Sequence, residues 1–272
     1  MGGSLGLALK KNRPGINVAG YARRGETLRE ALRMGAIDEA FDSPAEAVRD
    51  ADIVVFCVPV LSIPVLARLC RGYFKKDAIV TDVGSVKACL SGKMSSICKP
   101  AIFIGSHPIA GSERAGIEAA TADLYVGSIT IVAPAPGTDR NTARELSAFW
   151  KTVGSQPVDM TPAVHDRIIA RTSHLPHLVS ALLAAHAGKA AGTSVRHLCG
   201  TGFRDVSRLA EGSPEMWRDI IVSNRQNIIR ELAAFQSETE KLLATIRRAD
   251  TGRANAFLEQ ARSARRKLVL EK

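Results

Sequence analysis

Through the first 160 residues, short apolar blocks alternate with stretches in which apolar side chains return every three or four positions, and beyond Thr161 only the helical spacing continues. Strand-like blocks lie at residues 16–21, 53–58, 78–82, 101–104, 129–134 and 156–160. Between them the spacing predicts helices over 2–11, 27–34, 63–73 and 142–153. Gly35 closes the second of these, and Ser43-Pro44 opens a further short one. The block Ile53-Val54-Val55-Phe56-Cys57-Val58 is continuously apolar, as in a parallel strand covered on both faces, and Pro59 ends it. Regular strand–helix alternation predicts an α/β fold. We expect a doubly wound parallel sheet over residues 1–160 and an all-α domain over residues 161–272. In the helical half, Ile220, Ile221, Ile228, Ile229, Leu232 and Phe235 form an apolar stripe of the kind used in cores or subunit interfaces.

Composition narrows the possible partners. The formal net charge of +10 raises the question of nucleic acid, but the basic residues are scattered in pairs, and 5% aromatic residues are too few for a base-stacking surface. An anionic cofactor and a dicarboxylate substrate are simpler uses of the positive field. The five cysteines form no C-x-x-C pair and no Cys/His metal spacing, which fits a reducing cytoplasm. His174 and His177 lie three apart without a third metal ligand nearby. No apolar run reaches about 18 residues, so no membrane partner is expected.

Chemistry concentrates in four places. The first is Gly105-Ser106-His107-Pro108-Ile109-Ala110-Gly111-Ser112-Glu113. Pro108 cannot donate to a ladder, so the strand at 101–104 is expected to end at His107. Ligands of open α/β sheets lie beyond such strand ends, where a histidine serves either structure or proton transfer. The second is Asp82-Val83-Gly84-Ser85-Val86-Lys87, in which Ser85 offers a hydroxyl to a ligand or caps a helix starting at Val86, and Lys87 orders the turn or neighbours a cofactor rather than acting as a base. The third is Tyr21-Ala22-Arg23-Arg24. Here Ala22 stands where NAD-specific sheets carry an acidic residue, and Arg23 and Arg24 either bind a ribose 2′-phosphate or form an exposed basic turn. The fourth is helical: Thr172-Ser173-His174-Leu175-Pro176-His177-Leu178, the run Gly200-Thr201-Gly202-Phe203-Arg204-Asp205-Val206-Ser207-Arg208-Leu209-Ala210, and Trp217 after a Ser213 cap.

The nine residues around His107 resemble the G-S-H-P-x-A-G-[ST]-E signature of the prephenate and arogenate dehydrogenases. The resemblance extends to D-x-x-S-V-K, S-H-L-P-H and G-x-G-F-x-D-x-[ST]-R-[IL]-A, and so to nearly the whole chain. It implies a Rossmann-like nucleotide domain over 1–160 and a helical dimerisation domain over 161–272. The implied reaction is the oxidative decarboxylation of prephenate to 4-hydroxyphenylpyruvate with NAD(P), the arginine pair favouring NADP. His107 and Ser85 are then catalytic, and Arg208, Asp205, His177 and Trp217 lie on the substrate side. Gly2, Gly3 and Ser4 match the last part of a glycine fingerprint and, with Pro59, Arg23 and Arg24, follow the cofactor. The same resemblance implies that a first strand and two earlier glycines precede Met1, with translation starting upstream. Arogenate is the alternative substrate. A β-hydroxyacid dehydrogenase is disfavoured because its catalytic lysine motif is not evident, and a chain genuinely without the first strand would be a non-catalytic remnant. His177 and Trp217 also suit buried structural or interface roles.

Overall fold

The computed structural model describes residues 1–111, 116–189 and 197–269. These form two compact units, Met1–Arg225 and Gln226–Lys272. Ser112 and Glu113, the last positions of the nine-residue motif, lie outside the described residues.

The first unit opens with α1 (Gly2–Asn12), β1 (Ala19–Tyr21), α2 (Gly25–Arg33), β2 (Glu39–Phe41), α3 (Pro44–Ala47), β3 (Ile53–Phe56) and α4 (Ile63–Leu69). It continues with β4 (Ile79–Asp82), α5 (Ala88–Ile97), β5 (Ile102–Phe103), β6 (Gly105–Pro108), β7 (Ile129–Ala133), α6 (Arg140–Thr152) and β8 (Gln156–Asp159). Helical elements follow: α7 (Pro162–Ile169), a π turn (Ala170–His174), α8 (Leu175–Lys189), α9 (Thr201–Ser207), a 3-10 turn (Arg208–Glu211) and α10 (Pro214–Ser223). The second unit is built from α11 (Arg225–Arg247) and α12 (Thr251–Leu268).

The strands form three ladders: β1 with β2, β3–β4–β5, and β6–β7–β8. All pairs are parallel except β6 with β7. β4 is buried along its full length, with Ile79 in one apolar core and Val80 in another. Successive strand residues point to opposite faces, so this division means that the sheet is covered on both sides. One core gathers Phe56, Ile63, Leu90 and Met94; the other gathers Leu5, Leu9, Leu146 and Trp150. β1 and β3 are not paired with each other, and a cavity of about 1080 Å³ is bounded by Ile16, Val18, Val55 and Leu5.

Two expectations need correction. The strand at 101–104, expected to end at His107, stops at Phe103 as β5, and a separate strand, β6, runs through His107 to Pro108, pairing antiparallel with β7 and setting His107 opposite Ile131. Pro108 occupies the last paired position, and Ile109 N–H carries the pairing on to the Ile129 carbonyl at 2.7 Å, so the missing proline donor breaks nothing. The helix predicted over 63–73 ends at Leu69, because Gly72 turns the chain with a φ of 87°.

Candidate active site

β4 delivers Asp82 into the interior, where its carboxylate accepts from the Gly84 N–H at 2.9 Å and the Ser106 N–H at 3.3 Å. Lys87 reaches back along the turn to form an ion pair with Asp82, and its Nζ also donates to the Ser106 carbonyl at 2.8 Å. Burial pushes the Asp82 carboxyl up, and the Lys87 ammonium opposes that rise. Lys87 therefore orders the turn and is sealed from solvent at 1% exposure. Ser85, between the two, is half-buried, and its hydroxyl has no hydrogen-bond partner among the described residues. It does not cap the following helix. That helix begins at Ala88, and Asp166 of α7 accepts from the Lys87 and Ala88 N–H groups at 2.7 and 2.9 Å. A carboxylate at a helix N-terminus meets both the orphan donors and the positive end of the dipole.

Asp166 also joins the helical segment to His107. Its Oδ1 lies 2.7 Å from Nδ1 of His165, and His165 Nε2 lies 2.9 Å from Nδ1 of His107. The two imidazoles meet edge to face with centroids 5.1 Å apart. Burial holds the His107 pKa well below the usual histidine value, reinforced by His165, Lys87 and His174. Burial likewise lowers His165, against the opposing Asp166. Both rings are neutral near pH 7, the form that can accept a proton.

His174 is fully buried, and burial depresses its pKa to about 4. Its Nδ1 accepts from Asn224 Nδ2 at 3.2 Å, while the same amide donates to the Asp166 carbonyl at 2.8 Å. The Trp217 ring stacks on His177 at 3.4 Å and 7°, and stands edge-on to His174. A Cβ at Gly212 would lie 2.5 Å from Trp217 Nε1 and 3.0 Å from His177 Cε1, so this stack needs a glycine beside it. The structure thus brings His177 and Trp217 together, and His107 together with His165. Arg208 lies in the 3-10 turn and Asp205 on α9, both exposed.

Residues expected on the cofactor side lie past the carboxyl ends of β1 and β3 and at the start of α1. Arg23 and Arg24 are exposed, and neither is in an ion pair among the described residues. Pro59 leads from β3 into a 3-10 turn. A Cβ at Gly2 would come within 3.2 Å of Cys57 Cβ, and one at Gly3 within 2.3 Å of Ile117 Cδ1. Both glycines therefore answer to close packing of the protein itself. Ser4 is buried and its hydroxyl accepts from the Thr121 N–H at 3.2 Å, so that oxygen is engaged by the chain. No acidic residue stands in the first turn of α1, which suits a phosphate near its N–H groups. The residues present fit a dinucleotide on the first-turn N–H groups and the exposed arginine pair, with Ser4 as a packing residue.

Sequence reasoning missed His165, Asp166, Gly6 and Gly212. A Cβ at Gly6 would fall 1.9 Å from the Ala36 carbonyl oxygen, so the third glycine of the opening segment is the one on which α1 packing depends most. The available signal for the first two was an adjacent His-Asp pair just inside a helix opened by Thr161-Pro162.

Comparison with known proteins gives these groups a setting. A family model for the prephenate dehydrogenase nucleotide-binding domain matches residues 5–158, and one for the prephenate dehydrogenase dimerization domain matches residues 161–260. The chain is 31% identical to prephenate dehydrogenase of Bacillus subtilis, over 99% of this chain and 74% of that protein. It superposes with a TM-score of 0.92 and 30% identity on Aquifex aeolicus prephenate dehydrogenase in complex with hydroxyphenyl propionate and NAD+, covering 98% of this chain and 94% of that one. With Synechocystis arogenate dehydrogenase the TM-score is 0.82 at 28% identity, over 97% and 96% of the two chains. Two matched domains along nearly its whole length and a shared fold at about this identity make the chain a member of the prephenate dehydrogenase family.

Proposed function

We propose that this chain oxidises and decarboxylates prephenate to 4-hydroxyphenylpyruvate. The observation that carries the reading is His107, a neutral, half-buried imidazole with one ring nitrogen already engaged by the protein and the other left for a substrate. When bound, the nicotinamide supplies the hydride acceptor. His107 takes the proton of the ring hydroxyl as the carbinol hydrogen departs as hydride. The quaternary ring carbon then loses carbon dioxide, and the proton held by His107 returns to the oxygen of the new phenolate. Aromatisation drives the sequence. Ser85, with its open hydroxyl, holds the same oxygen of the substrate.

Arg208 binds the ring carboxylate through a two-pronged ion pair, which its planar guanidinium favours, and Asp205, three positions earlier, orients it. His177, backed by the Trp217 ring, meets the side-chain carboxylate. On the cofactor side, Gly2, Gly3 and Pro59 line the path. Arg23 and Arg24 take a 2′-phosphate, so NADP is the preferred form. Residues 1–160 carry the cofactor and 161–272 the substrate-binding and dimerisation elements. The homodimer reading is supported by the dimerization-domain match and by exposed Ile229, Phe235, Ile246 and Leu258 on α11 and α12. No described helix is long and apolar enough to cross a membrane, which accords with a cytoplasmic enzyme.

A second reading, with arogenate as substrate, is favoured by the likeness to the Synechocystis arogenate dehydrogenase. The test is reduced-nicotinamide fluorescence with prephenate or arogenate, each with NAD and NADP. A rise with prephenate, larger with NADP and losing that advantage in an R23A/R24A variant, is expected. A rise with arogenate alone would replace the substrate, and silence in all four arms would overturn the reaction.

A further inference from the structure

The reaction above uses neither His165 nor Asp166, yet both are buried and both point along one line toward His107. The donors and acceptors along that line can be assigned from its far end. Asp166 accepts two backbone N–H bonds, from Lys87 on Oδ1 and from Ala88 on Oδ2. A carboxylate offers only lone pairs, so its remaining contact, 2.7 Å from Oδ1 to Nδ1 of His165, makes that nitrogen the donor. A neutral His165 then has its lone pair on Nε2. This atom lies 2.9 Å from Nδ1 of His107, which must supply the hydrogen. The lone pair of His107 is left on Nε2, which has no partner among the described residues.

We propose that Asp166 and His165 are positioning residues that lock His107 as the Nδ1–H tautomer, so that Nε2 is the nitrogen that accepts the substrate proton. The inference rests on His107 being the base of the reaction above. As His107 gains the proton, the Nδ1–H bond to His165 strengthens, and the charge is felt by the Asp166 carboxylate through the intervening ring. Other ionisable groups around the pair are Lys87 and Asp82 from the β4–α5 turn and His174 from the π turn. Lys87 and His174 oppose protonation of His107, while Asp166 and, more weakly, Asp82 favour protonation of His165.

Substitution of Asp166 by asparagine unlocks the line. Oδ1 accepts from both the Lys87 N–H and His165, and Oδ2 from the Ala88 N–H, so the amide NH2 meets a backbone N–H of α5 at either corner and no single orientation is held. With the NH2 at the Oδ1 corner it donates to His165 Nδ1, the protons of His165 and His107 both move to Nε2, and the base faces the substrate with a hydrogen instead of a lone pair. The test pairs turnover with nitrogen NMR of histidine-labelled protein, assigned through H107N. The unsubstituted chain should show His107 protonated at Nδ1. D166N should show an Nε2–H form of His107 appear beside the Nδ1–H form, with kcat lowered by the fraction of molecules that lose the Nδ1–H form. H165Q, whose carbonyl can accept from His107 while its NH2 donates to Asp166, should keep the Nδ1–H signal and retain kcat to within about tenfold, whereas H165F should lose both. An Nε2–H signal in the unsubstituted chain, or unchanged tautomer and unchanged kcat in both D166N and H165F, overturns the proposal. The NMR readout decides the tautomer whether or not prephenate is consumed, and failure of the unsubstituted chain to oxidise prephenate bears on the reaction alone.

Discussion

The residues we propose for proton handling and those we propose for anion binding are built in opposite ways. His107, His165, Asp166, Lys87 and Asp82 lie in or against the interior, each fixed by hydrogen bonds to its neighbours. Arg208, Asp205, Arg23 and Arg24 are exposed on turns and at a helix end. A base needs one lone pair aimed in one direction and a pKa below the working pH, and burial in a closed hydrogen-bond network supplies both. A guanidinium needs neither. Its charge does not depend on its surroundings, and for Arg23 and Arg24 an exposed position avoids the desolvation cost of an empty buried cation.

Several substitutions sharpen that contrast. The largest effect is expected from H107N, which should lower kcat by about 10³-fold with KM little changed, in the range of general-base losses. A loss confined to KM would move His107 from the proton-handling side to the binding side. Next, K87M should destabilise the fold by about 3–5 kcal/mol, because it leaves the Asp82 carboxylate buried without its partner. Chemical denaturation measures this, and a loss below about 1 kcal/mol would mean that water reaches Asp82.

The third expectation concerns acid. His107, His165, His174 and His177 all have folded-state pKa values lowered by burial, that of His174 to about 4. Below about pH 6.5 the unfolded chain takes up protons that the folded one excludes, so stability is full above that pH and falls as pH drops toward 4. His174 alone should contribute about 3 kcal/mol to the fall. Activity should hold through pH 6.5 and decline only further into acid, because His107 stays neutral there. Thermal unfolding and kcat/KM across pH 4–8 would check both curves, and an activity midpoint at or above the ordinary histidine value would break the assignment of His107 as a buried base. The smallest effect should come from the exposed side: R208A should raise KM for the substrate by about 30- to 100-fold, the worth of a two-pronged charged pair. Its pH profile should not move. A shifted acid limb in R208A would show that the two sides are electrostatically coupled.

The sequence was most legible where structure is local. The apolar run through Val54 and Phe56, the helix opened by Ser213-Pro214 and the basic end of α1 follow from spacing and caps within a few residues. The motifs around His107, Ser85 and Arg208 are dense and specific, and they are what places these residues among the proposed site residues. The missing donor of Pro108 points to a strand end at His107, whereas β6 continues through it because its partner β7 leaves that position without need of a donor. Ser85 lies near the helix start, where sequence favours it as a cap, but the cap comes from Asp166, 78 residues beyond Ala88.

What the sequence determined by itself was the order of strands and helices, the change to helices after Thr161 and the residue types available for proton transfer and anion binding. Only the tertiary structure decided which of them meet. His107 and His165 are 58 positions apart, and no periodicity reports a hydrogen bond across that distance. Propensity and patterning act over one turn or one strand, whereas a tautomer, a buried ion pair or the clearance beside Gly212 is set by atoms that folding brings together.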